Sequence, residues 1–245
     1  MDGVLTDTAA VHSAAWKQAF DEFLRTWAQR TGAMFEEFCH ARDYRAHVDG
    51  RPRHQGVASF LASRGISLPQ GSPNDLPRTG TICGLGNRKN ELFHAAIAAS
   101  GAAVYPSTVA LIRALHVAGI KVGLATSSRN SELILSRSRT ASLFATVVDG
   151  LVSERLGLRG KPLPDIFAAA SANLGAEPAR AVIFEDAVSG VRAGADGGFA
   201  LVIGVARENN AWELRENGAD FVVEDLGGLS VEKIDEQVRL KRAAA

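Results

Sequence analysis

The chain has 245 residues, enough for one large α/β domain or for a core domain carrying a smaller inserted one. Its 27 Lys and Arg balance 27 Asp and Glu, which argues against nucleic acid or an anionic membrane as main partner, since both demand a basic excess. No apolar run reaches the ~18 residues of a membrane span, no signal peptide is visible, and Cys39 and Cys83 lie far apart without metal-ligand spacing, so a cytoplasmic protein with two idle thiols is expected.

The opening stretch, MDGVLTDTAAVH, reads like the end of a buried strand whose beginning lies before Met1. From Val11 to about Ala103 the pattern is helical. Trp16, Phe20, Phe23, Leu24 and Trp27 recur at i, i+4, i+7, i+8 and i+11, one apolar stripe on a helix. Shorter stripes follow at Val57, Phe60 and Leu61, and at Leu92, Phe93, Ala96 and Ile97. Between them, SLPQGSPNDLPRTG carries three prolines and two glycines, which rule out regular structure. This half is expected to form a small helical bundle.

After Tyr105 and Pro106 the rhythm changes. Short apolar runs, IKVGLAT, TVVDG, AVIFED, ALVIGVA and FVVED, alternate with helical segments. Their β-branched, two-sided apolar character is that of strands buried on both faces, which predicts an α/β fold with a parallel sheet flanked by helices. In such sheets ligands bind outside the carboxyl ends of the strands, so polar residues just after each run are candidates for a site.

That rule selects Thr126, Ser127, Ser128, Arg129 and Asn130 after one run, the adjacent carboxylates Glu185 and Asp186 after another, and Asp2 if the opening fragment is also a strand end. Lys161 sits in GKPLPDIF, just before a helix entered through Pro164. Carboxylates converging at strand ends suit a hard divalent cation such as Mg²⁺. A hydroxyl and a Lys nearby would hold phosphate oxygens in a phosphoryl transfer. Singly, each has an ordinary explanation: a solvated strand end for Glu185 and Asp186, a surface Lys, a helix cap for the hydroxyls.

In order, however, DGVLTDT, LATSSRN, GKPLPDIF and IFEDAVSGVRAG resemble the four motifs of the haloacid dehalogenase-like phosphotransferases. The resemblance implies a Rossmann-like core of residues 1–8 and 104–245, with a helical cap of residues 9–103 inserted in it. Within that superfamily the cap stretches DTAAVHSAAW, VDGRPR and GLGNRKN are similar to those of the β-phosphoglucomutase family. The family's first motif is D-x-D, and Asp2 matches its second Asp. The resemblance therefore implies that a strand and a nucleophilic Asp precede Met1. Without them the remaining residues cannot form the covalent intermediate, and a groove should separate two strands where the absent one belongs. Three explanations compete: a start codon assigned at an internal Met, a fragment, and a noncatalytic binding protein.

For the full-length enzyme the resemblance implies that Asp2 transfers protons while its carbonyl, Glu185 and Asp186 serve Mg²⁺. Thr126 and Lys161 would hold the transferring phosphoryl group, and His12 would help position Asp2. Arg53, Lys89, Asn90, Ser128, Arg129 and Asn130 match groups that grip the sugar and its second phosphate, with Arg129 where the family often has Lys. The expected reaction interconverts β-D-glucose 1-phosphate and glucose 6-phosphate through a bound 1,6-bisphosphate. The alternatives are a Mg²⁺-dependent phosphatase for small sugar phosphates and a sugar-phosphate-binding protein without turnover. The expected partner is a small phosphorylated sugar, and the chain is expected to be a monomer.

Overall fold

The stripe from Trp16 to Trp27 lies on one helix, α1 (Ala9–Thr31), which stops where Gly32 turns left-handed and returns its N–H to Ala28. Trp16, Phe20 and Leu24 are buried and Trp27 is half-buried. In this computed structural model, which describes residues 1–244, the chain divides into two units. Unit 1 combines Met1–Asp7 with the chain from Ala102, and unit 2 is Thr8–Gly101.

Unit 2 packs α1 with α2 (Arg53–Ser63) and α3 (Ile82–Ser100). The ring of Phe20 lies 5.0 Å from Phe38 and 4.2 Å from Phe60, and all three are fully buried. Thr81 caps α3 by accepting the Gly84 N–H at 2.9 Å. A further helical stretch of wider, π-type winding, His40–Val48, has no counterpart in the apolar stripes. Polar contacts hold it: the buried Asp43 carboxylate accepts the Cys39 N–H at 2.8 Å and pairs with Arg42 and Arg64. The proline-rich segment 67–80 is irregular, as its composition predicts.

In unit 1 every strand-like run contains a strand: β1 (Gly123–Ala125), β2 (Thr146–Val148), β3 (Val182–Glu185), β4 (Leu201–Val205) and β5 (Phe221–Val223). All pairings between them are parallel. Leu201, Ile203 and Val205 of β4 point into one core with Leu111 and Leu115 of α4 (Pro106–Val117) and Ile234 of α10 (Val231–Ala244). Val202 points into another core with Phe167 of α7 (Asp165–Leu174), Val191 of α8 (Val188–Asp196) and Leu214 of α9 (Ala211–Glu216). This is the period-two alternation of a sheet with helices on both faces.

The parallel strands fall into two groups with a gap between them. Among the described residues β1 pairs only with β2, and β3 joins β4 and β5 in a separate sheet. An apolar groove of about 840 Å³ lies along Gly123–Ala125 and Val182–Phe184, and Met1, Leu5, Leu111 and Phe167 also line it. The opening residues form a turn rather than a strand: Met1 O accepts the N–H groups of Leu5 at 2.8 Å and Thr6 at 3.1 Å.

Candidate active site

Two strand ends and the opening turn carry most of the unit 1 candidates. After β1, Thr126 is buried, and its N–H continues the ladder to Val148 O at 3.0 Å. Its hydroxyl accepts the Ser128 N–H, and the Ser128 hydroxyl accepts the Asn130 N–H, each at 3.2 Å. These serial turns lead into α5 (Ser131–Ser138), so local hydrogen bonding alone accounts for the run of hydroxyl residues. Asn130 is buried beside Ser131, which donates to Asp149 at 2.5 Å. Arg129 forms an ion pair with Glu154 at 2.8 Å.

After β3, Glu185 accepts from Lys161 Nζ at 2.9 Å, and both side chains are buried. The Lys161 ammonium also lies 4.6 Å from the Phe167 ring centroid. A buried pair of this kind resists removal of either member, because the survivor keeps an uncompensated charge. Gly190 at the start of α8 makes room for it: a Cβ there would lie 2.2 Å from the Glu185 carboxyl carbon.

Asp186 comes next, against the opening turn. Gly3 has φ +70°, and a Cβ on it would lie 1.7 Å from Asp186 Oδ2. Only glycine fits both the backbone angle and the contact. The Asp2–Gly3 backbone and the Asp186 carboxylate are thereby adjacent, and Asn210 donates to Asp186 O at 3.2 Å. Among the described residues, no three His, Cys, Asp or Glu side chains gather closely enough to hold a metal ion.

Unit 2 brings its candidates together in two pairs. Arg53 Nη2 donates to Asn90 Oδ1 at 2.6 Å, and Arg53 Nη1 reaches Asn87 Oδ1 at 3.5 Å. The Lys89 ammonium is buried, 2.5 Å from His12 Nδ1 and 4.8 Å from the Phe93 ring centroid. His12 stacks on the same ring at 4.0 Å.

Sequence reasoning passed over Asn87 and Arg207. Asn87 donates to the carbonyls of Pro73 and Asp75, tying the irregular segment to α3, and no local pattern announces such a long-range contact. Arg207 stands two residues beyond β4, where the strand-end rule would have found it. Its guanidinium donates to Gly3 O at 3.1 Å.

Comparison with known proteins agrees with this architecture. The haloacid dehalogenase-like hydrolase family matches residues 1–198. The β-phosphoglucomutase of Mycobacterium tuberculosis is 44% identical over 232 residues, covering 94% of this chain and 88% of that one. The β-phosphoglucomutase of Bacillus subtilis is 30% identical over 239 residues, covering 97% and 92%. A crystal structure of β-phosphoglucomutase from Clostridium difficile superposes with a TM-score of 0.74 at 21% identity, covering 99% of this chain and 96% of that one, a likeness of fold. A family match reaching from Met1 through the Glu185–Asp186 strand end, and a relative this similar along almost its whole length, make the chain a member of the haloacid dehalogenase-like hydrolase family, in its β-phosphoglucomutase branch.

Proposed function

We propose that the protein is a sugar-phosphate mutase, interconverting β-D-glucose 1-phosphate and glucose 6-phosphate through an aspartyl-phosphate and a bound 1,6-bisphosphate. The attacking Asp would directly precede Met1, at the end of an apolar strand for which the groove between β1 and β3 has the room and the lining. Asp2 donates a proton to the leaving oxygen and later takes one from the attacking hydroxyl. Thr126 and Lys161 hold the transferring phosphoryl group, with Glu185 keeping the Lys161 ammonium in place.

Asp186, Glu185 and the Asp2 carbonyl are an all-oxygen donor set that fits a hard cation, and the close approach of Gly3 to Asp186 supports their acting together. Mg²⁺ held by them would neutralise charge on the phosphoryl oxygens.

The observation that carries the mutase reading is the Arg53–Asn90 contact, 2.6 Å between groups on two different helices. It pre-orients a guanidinium as a grip for the phosphate that is not reacting. Ser128, Asn130 and Lys89 would complete the grip on phosphate and sugar. One observation favours a hydrolase of small sugar phosphates instead: Arg129, a second candidate for the same phosphate, is already paired with Glu154.

Arg53→Ala in a form carrying the nucleophile tests the choice. Conversion of β-glucose 1-phosphate should fall by roughly 30- to 1000-fold, the equivalent of about 2–4 kcal/mol of transition-state stabilisation. Hydrolysis of a simple aryl phosphate, which offers Arg53 nothing to hold, should change little. Equal losses in both assays would remove the mutase reading and promote the hydrolase.

A further inference from the structure

Arg207 gathers contacts from three separate parts of unit 1. Its Nε donates to Gly3 O at 3.1 Å, in the opening turn. Its Nη1 donates to Glu224 O at 3.1 Å and to Asp225 Oδ2 at 2.7 Å, just past β5. Its guanidinium carbon lies 3.7 Å from the centroid of the Tyr105 ring, on the segment that returns from unit 2. Asp225 is itself fixed by the Gly227 N–H at 2.7 Å and the Ser107 hydroxyl at 2.8 Å.

The turn and the returning segment are also joined to each other. Tyr105 N–H donates to Leu5 O at 2.9 Å, Asp7 N–H to Ala103 O at 3.0 Å, and the Tyr105 hydroxyl to Asp7 at 2.9 Å. Gly3 N–H closes the turn on Thr6 O at 2.8 Å. Nothing in this ladder reaches β4 or β5. Val4 of the turn packs in the core with Leu201, Ile203 and Val205 of β4, and of the hydrogen bonds just described those of Arg207 tie the turn to the end of β5.

The geometry suits arginine alone. A planar guanidinium can lie flat on an aromatic ring while donating in its own plane to acceptors as widely separated as Gly3 O and Asp225, a span that the single nitrogen of an ammonium does not cover. One buried nitrogen, Nη2, has no acceptor among the described residues. Leaving a donor of a charged group unsatisfied costs stability, so satisfying its own donors does not by itself account for this pose. The pose satisfies Gly3.

Gly3 is the residue between Asp2 and the rest of the turn, and it is also the residue pressed against Asp186. Fixing its carbonyl fixes the Gly3–Val4 peptide, one residue beyond Asp2, and so limits how far Asp2 can move relative to Asp186. We propose that Arg207 is a positioning residue: by clamping Gly3 to the end of β5 over the Tyr105 ring, it sets where the Asp2 side chain stands during proton transfer. This rests on the reading of Asp2 as the proton-transfer group.

Amide hydrogen exchange on the full chain tests the clamp without any turnover. Arg207→Met should speed exchange at Gly3, Leu5, Thr6 and Tyr105 by tenfold or more, with β4 amides within about twofold of the parent. Tyr105→Leu, which removes the platform and keeps the guanidinium, should loosen the same amides and covers the case in which Arg207→Met folds poorly. Unchanged turn amides, or β4 amides rising by the same factor, would overturn the clamp. In a form with turnover, Arg207→Met should lower kcat for an aryl phosphate at least tenfold at unchanged KM, with Arg207→Lys recovering only part. A loosened turn with unchanged kcat would overturn the positioning role. Asp2→Asn separates the two failures: if it also keeps its kcat, the reading of Asp2 is at fault and not the clamp.

Discussion

Phe20, Phe38 and Phe60 in unit 2 and the run Val182–Phe184 in unit 1 are comparably apolar, yet the three rings are fully buried and the β3 residues only half-buried. The difference lies in the backbone. Phe20 and Phe60 lie on helices, which pair their own N–H and C=O groups and need only bring side chains together, and the N–H of Phe38, off any helix, is taken by the Asp21 carboxylate at 2.8 Å. A strand needs a neighbour on each edge. Within unit 1 the same contrast recurs. β4 lies between β3 and β5, and all five of its residues are buried, whereas β3 has one neighbour and an apolar groove along its other side. Burial of a strand is therefore a property of the strands beside it.

The sharpest way to break this comparison is to fill the groove. A form extended by the codons before Met1 should supply an apolar strand ending in Asp, pair the open edges of β1 and β3, and turn over an aryl phosphate with Mg²⁺. The chain beginning at Met1 should be slower by several orders of magnitude, the usual consequence of losing a covalent nucleophile. Comparable turnover by the two forms would show that the nucleophile lies elsewhere, and unchanged exchange at β1 and β3 amides would show that the groove is not a strand site.

Ile203 and Ile183 sharpen it further. Ile203 in β4 is fully buried and Ile183 in β3 is half-buried. Ile203→Ala should cost about 2–5 kcal/mol, through lost transfer energy and the cavity left behind. Ile183→Ala should cost about 1 kcal/mol in the chain beginning at Met1, since part of its surface already meets the groove. In the extended form that cost should rise toward the Ile203 value. Denaturant unfolding of both variants and the parent, in the shorter and the extended form, measures both differences, and equal costs for the two positions in the shorter form would contradict the openness of the β3 edge.

The sequence makes one side of this contrast legible and hides the other. Each strand was readable because β-branched runs such as ALVIGVA are local, and the parallel arrangement followed from their alternation with helices. The gap between β1 and β3 was not readable from the runs themselves, and it was expected only from the D-x-D motif match at Asp2, which implies a missing strand. The π-wound His40–Val48 segment escaped for a different reason. It is organised by the charges of Asp43, Arg42 and Arg64, and charge has no periodicity to follow. Glu185 and Asp186 became candidates by their place at a strand end, and Lys161 by its loop and the motif order. The Lys161–Glu185 pair and the approach of Gly3 to Asp186 appeared only in three dimensions.

That charge network gives a moderate effect with a pH signature confined to unit 2. Burial pushes the Asp43 carboxyl up, but hydrogen bonds from Arg42 and the Cys39 amide, with the nearby charge of Arg64, outweigh it and hold the group at about 2. A carboxyl depressed in the folded state binds fewer protons there than in the unfolded chain. Its contribution is therefore fully present above the ordinary value of 3.8 and is lost as pH falls through about 2. The contribution is on the order of 2 kcal/mol. Asp43→Asn should lower the stability of unit 2 at neutral pH by about that amount and flatten its acid limb, while the exchange of β4 amides in unit 1 stays as in the parent. If parent and variant lose stability equally on acidification, the π-wound segment is held by Tyr44 and Val48 packing against the aromatic core, and the ion pairs around Asp43 contribute nothing net.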